Sequence, residues 1–90
     1  MAVVALQIKI MPESLDVSLE DLKARTEEKI KKLGGMNISF TEENIAFGLK
    51  ALIIKLALQE TSDSTALETE LGNLEGVSSA QIIDYRRAFG

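Results

Sequence analysis

Three groups of side chains in this 90-residue sequence could take part in chemistry. Carboxylates are paired at Glu27-Glu28 and Glu42-Glu43, with a further acid at Asp84, and two carboxyls held close can divide the roles of general acid and general base. Lys29, Lys31 and Lys32 form a cationic run able to meet a phosphate. The closing "YRRAF" sets Arg86 and Arg87 between Tyr85 and Phe89. Each group also has a plainer reading. Adjacent charges mark a solvated face, lysines at the close of a helix complement its dipole, and a terminal segment frays. Histidine and cysteine are both absent, which removes the commonest general base, thiolate nucleophiles, disulfides and cysteine-held metal centres. Hydrolytic chemistry is disfavoured, and no cofactor is implied.

Composition bounds the rest. Ninety residues, 46% apolar and 27% charged, suit a single domain spanning residues 1–90 with one core. A net charge of −4 argues against indiscriminate nucleic-acid binding. No stretch approaches a membrane span, and the first ten residues lack the basic start of a signal peptide, so a cytoplasmic location is expected.

The elements that must position these groups follow from periodicity. Val4, Leu6, Ile8 and Ile10 alternate with Ala5, Gln7 and Lys9, a strand with one buried face that Pro12 ends. Ser18 and Asp21 form a capping pair for a helix with Leu19, Leu22, Thr26, Ile30 and Leu33 on one stripe, stopped by Gly34-Gly35. Ile38 and Phe40 begin a second strand that polar "TEEN" interrupts. Apolar character then runs from Ile45 to Leu58, too long for one straight strand. Gly48 is the residue suited to a bend, so "FG" is expected as a bulge or corner near a strand start, with Leu52, Ile54, Leu56 and Leu58 buried beyond it. Asp63 or Ser64 caps a shorter helix through Leu67, Leu71 and Leu74, closed by Gly76. A last strand passes through Ile82, Ile83 and Tyr85.

Strand, helix, strand, strand, helix, strand predicts an α+β fold: a ferredoxin-like βαββαβ two-layer sandwich, a four-stranded antiparallel sheet with both helices on one face. The first and third strands, the most continuously apolar, belong at its centre. The open face offers Gln7, Lys9, Ala51, Ile53 and Lys55 without a ring, which disfavours RNA stacking. "MPESLDV" after the first strand lacks a basic residue, which disfavours a phosphatase cradle.

"IAFGLKAL" and the closing "GVSSAQIIDYRRAF", with this length and element order, resemble the archaeal elongation factor 1-beta family across essentially the whole chain. The resemblance implies a guanine nucleotide exchange factor that acts on elongation factor 1-alpha, speeding GDP release so that GTP can rebind. It implies action by binding, without covalent chemistry, membrane or direct nucleic-acid contact, and as a monomer. Phe47 matches an aromatic that presses on the GTPase in eukaryotic relatives, and Gly48 and Lys50 match its neighbours. Arg87 falls nearest a lysine that enters the partner's magnesium site, with Arg86 beside it and Phe89 beyond. The expected partner-binding set is therefore Phe47, Gly48, Lys50, Arg86, Arg87 and Phe89.

From pattern alone Phe47 reads as core more than as contact, since phenylalanine is usually buried, and Lys50 reads equally as a strand lysine on the wet face. A second reading is a small-molecule-binding regulatory domain that dimerises through the open sheet face. It expects Phe47 buried and a closed pocket; the exchange reading expects Phe47 exposed. The topology also sets the "FG" connection and the arginine-bearing end at opposite ends of the sheet.

Overall fold

The computed structural model describes residues 2–88. Its elements run β1 (Val3–Pro12), α1 (Leu19–Lys32), β2 (Met36–Ala46), β3 (Leu49–Gln59), α2 (Ser64–Gly72) and β4 (Val77–Ala88). The strands form one antiparallel sheet in the order β2-β3-β1-β4, the ferredoxin-like arrangement with the two most apolar strands inside.

Register explains the core. Val4 pairs with Leu58, Leu6 with Leu56, Ile8 with Ile54 and Ile10 with Leu52. Because paired residues share a face, one side of the two central strands is a continuous apolar surface. Leu22 and Ile30 of α1 and Leu67 and Leu71 of α2 close over it, all four buried. Thr26, also buried in the α1 stripe, satisfies its hydroxyl on the Lys23 carbonyl at 3.1 Å.

Local signals set the helix ends. Ser18 Oγ accepts the Asp21 amide at 3.2 Å, and Asp63 Oδ1 accepts the Ala66 amide at 3.1 Å. Past α1, Gly34 takes φ +93° while its amide and that of Gly35 donate to the carbonyls of Lys31 and Ile30. That is a Schellman close, which spends two carbonyls the helix would otherwise leave orphaned. The second helix ends earlier than expected, at Gly72 with Asn73 as cap, and Gly76 lies instead in the turn before β4. Among the described residues no helix is long and apolar enough to cross a membrane.

Two further expectations are corrected. "TEEN" does not interrupt a strand: Thr41, Glu42, Glu43 and Asn44 pair with Ile53, Leu52, Ala51 and Lys50 inside β2. Nor does β4 fray, since Arg86 pairs with Ala5, Arg87 with Val4 and Ala88 with Val3.

Candidate functional site

Phe47 and Gly48 alone join β2 to β3. Both have positive φ, 55° and 81°, as a type I′ hairpin turn requires. So "FG" is a hairpin turn, not a bulge or corner within a strand. Gly48 adopts this conformation without penalty. Phe47 does not, because the left-handed region costs an L-residue about 1–2 kcal/mol. Asparagine, aspartate or glycine is the usual occupant. No burial offsets that cost, since Phe47 is 97% exposed. A strained backbone under an unburied ring serves nothing in the fold.

The ribbon carrying Phe47 projects past its neighbours. β1 pairs with β3 only as far as Leu52, whereas Glu43–Ala51, Asn44–Lys50 and Ala46–Leu49 are pairs of β2 and β3 alone. Charged side chains bridge this end to the rest of the molecule. Glu42 pairs with Leu52, so its carboxylate lies on the helix side, where it meets Lys23 Nζ of α1 at 3.2 Å and Lys50 Nζ at 3.5 Å. Lys23 also reaches Glu20 at 3.3 Å. The hydrogen bond from Lys23 holds the Glu42 carboxyl below the usual carboxylate range, and the bond to Glu42 raises Lys23. Glu43, one residue on, faces the helix-free side and meets Lys9 Nζ of β1 at 3.4 Å.

Lys50 therefore stands on the helix side, in phase with Leu52 and Ile54, and not on the wet face. Beside it, a cleft of about 330 Å³ opens between the hairpin, the β1–α1 loop and the first turn of α1. At its rim Leu15 is 65% exposed, with Cδ2 3.8 Å from where a Cβ on Gly48 would lie.

Arg86 and Arg87 occupy the other end. Arg86 shares the open face with Ala5 and meets Asp84 at 3.1 Å, while Arg87 shares the helix side with Val4 and pairs with Glu60. Arg87 is level with Leu58 through Val4, so about 30 Å of β3 separates it from the Phe47 turn. The structure thus groups Phe47, Gly48 and Lys50 and sets Arg86 and Arg87 apart from them. Phe89 lies outside the described residues. The remaining acidic pair, Glu27-Glu28, is spent on Lys31 and Lys32 one helical turn away.

Phe47 is thus an exposed aromatic in a strained backbone conformation at the tip of a projecting hairpin. The sequence profile of the EF-1 guanine nucleotide exchange domain matches residues 5–87. The chain belongs to that family. Similar exchange-domain proteins are the elongation factors 1-beta of three archaea. That of Methanosarcina barkeri is 39% identical over 93% of this chain and 96% of its own length. That of Methanothermobacter thermautotrophicus is 43% identical over 89% and 90%, and that of Methanosphaerula palustris 42% over 93% and 95%. The exchange-domain assignment agrees with the resemblance carried by "IAFGLKAL" and displaces the regulatory-domain alternative, which required a buried Phe47. Sequence reasoning missed the ties of Glu42 to Lys23 and Lys50 and of Glu43 to Lys9. The usable signal was strand alternation continuing through "TEEN", which places adjacent acids on opposite faces.

Proposed function

We propose that this exchange domain promotes GDP release and GTP rebinding on elongation factor 1-alpha during translation elongation, through binding alone. One observation carries the reading: Phe47 stands almost fully exposed in a backbone conformation that folding does not reward. In a GTPase, GDP is held through its phosphates and a magnesium ion with near-octahedral oxygen ligands, and switch segments around that ion order with nucleotide state. A factor that binds the nucleotide-free form best must, by linkage, weaken nucleotide binding to the same degree. Phe47 presses on the switch backbone, with Gly48 and Lys50 beside it. A cation from Arg87 or Arg86 competes with magnesium for its oxygens, and Phe89 extends that end of the contact.

Because the two ends lie about 30 Å apart, the partner is engaged along the domain. A standard interface of about 800 Å² per side accommodates that length. The exchange domain acts as a monomer in the cytoplasm, with neither nucleic acid nor membrane in the contact. Stopped-flow release of fluorescent GDP from the cognate elongation factor 1-alpha, with and without this protein, tests the reading. Release is expected to accelerate with factor concentration and to saturate; equal rates in both would overturn it.

A further inference from the structure

The hairpin that carries Phe47 is mechanically weak by construction. Beyond Leu52 it is a two-stranded ribbon without a β1 neighbour, because Met11 and Pro12 pair only with β4. Two-stranded ribbons twist most and are marginal alone. The turn lies about 13 Å beyond Glu43, so a tilt of about 10° would carry the ring about 2 Å sideways. Misplacement on that scale is costly where groups must be aligned.

Glu42 and Glu43 sit where such tilting would start, and they grip opposite faces. On the helix side Glu42 reaches Lys23 and Lys50, linking β2 to α1 and to the return strand. On the other side the Glu43–Lys9 pair spans from β2 to β1 across β3, at the strand positions of Ala51 and Ile53. Both of those are buried although no helix covers that face, Ala51 fully and Ile53 to 7% exposure. Movement of the ribbon toward either face stretches the pair on the opposite one. Exposed ion pairs contribute little to global stability, so stability alone does not explain two at one place.

We propose that Glu42 and Glu43 are positioning residues for nucleotide exchange, a two-sided tie that fixes the direction in which the hairpin presents Phe47. The inference rests on the exchange reading of Phe47, and its test separates the two. Backbone ¹⁵N relaxation on the isolated protein and fluorescent GDP release from elongation factor 1-alpha are measured for wild type and the Glu42→Gln/Glu43→Gln double variant, each with and without Phe47→Ala. The double variant is expected to melt within about 2 °C of wild type, as exposed pairs dictate. It should nonetheless show increased motion confined to residues 44–50 and at least threefold slower release at saturating factor. In a Phe47→Ala background the double change is expected to have no further effect, which a merely structural role would not produce. Unchanged relaxation, an unchanged rate, or full additivity with Phe47→Ala would overturn the tie. A wild-type protein that fails to speed release would overturn the exchange reading instead, recognisable because the double variant would still loosen residues 44–50.

Discussion

Phe47 and Arg87 stand at opposite ends of one sheet, separated by about 30 Å of β3. Sites so distant with no shared partner act independently. If both touch the GTPase, Phe47→Ala and Arg87→Ala should each slow exchange, and the double variant should lose the product of the single losses within a factor of about two. Single-turnover release of fluorescent GDP checks this. A double variant no slower than the worse single would mean that only one end engages.

Phe47→Asn should separate stability from function in an unusual direction. Asparagine suits the left-handed turn position that phenylalanine strains, so the variant should gain about 0.5–1 kcal/mol. For a domain of this size that raises the melting temperature by a few degrees. Exchange should fall at least tenfold. A melt that moves downward would show that the ring supports the fold after all.

Acid should undo the Glu42 tie only below the ordinary glutamate range. A carboxyl whose folded pKa is lowered contributes stability above its unfolded value, near 4.3, and loses it as pH falls through the lowered one. Raised Lys23 contributes fully below its unfolded value, near 10.4, and loses that only as pH climbs through the raised one. The pair's contribution to stability is therefore full from about pH 5 to about pH 10 and declines outside that window. An NMR titration of the Glu42 side-chain carboxyl should place its midpoint below the usual glutamate range. Lys23→Met should return it most of the way, leaving Lys50 as the charged neighbour that still lowers it. An unmoved midpoint would mean that the Lys23 contact does not persist in solution.

The two arginines face opposite sides of the sheet, so they should not substitute for each other. Arg87 shares its face with Lys50 and is held by Glu60; Arg86 faces the open side beside Asp84. Arg87→Ala should slow exchange more than Arg86→Ala. Glu60→Gln, which releases Arg87 from its partner, should change the rate only when Arg87 is present. Equal losses from the two alanine variants would point to net charge at that end, not to a placed cation.

The sequence disclosed the fold through its interior and hid the site at its margin. β1 and β3 were readable because burial on one face writes strict alternation into Val4 to Ile10 and Leu52 to Leu58. Gly34-Gly35 announced the end of α1 because few other pairs supply that geometry. β2 was obscured from Thr41 onward because an edge strand near a hairpin tip has no apolar face to alternate. The turn was obscured because Phe-Gly lacks the asparagine or aspartate that usually marks such a hairpin. The ties from Glu42 to Lys23 and from Glu43 to Lys9 cross 19 and 34 residues of chain, and only register brings those charges together.

The irregular pairing of β2 has a consequence for how these molecules behave toward one another. Register shifts fall between Met36 and Ser39, where Asn37 has φ 56°, and between Asn44 and Ala46. Regular pairing is left only from Ser39 to Asn44, with two adjacent glutamates inside that stretch. An outer strand so short, kinked at both ends and negatively charged is a poor template for a second copy to zip onto. The molecule can thus hold out a sticky ring at one tip without inviting its own kind to polymerise along its side.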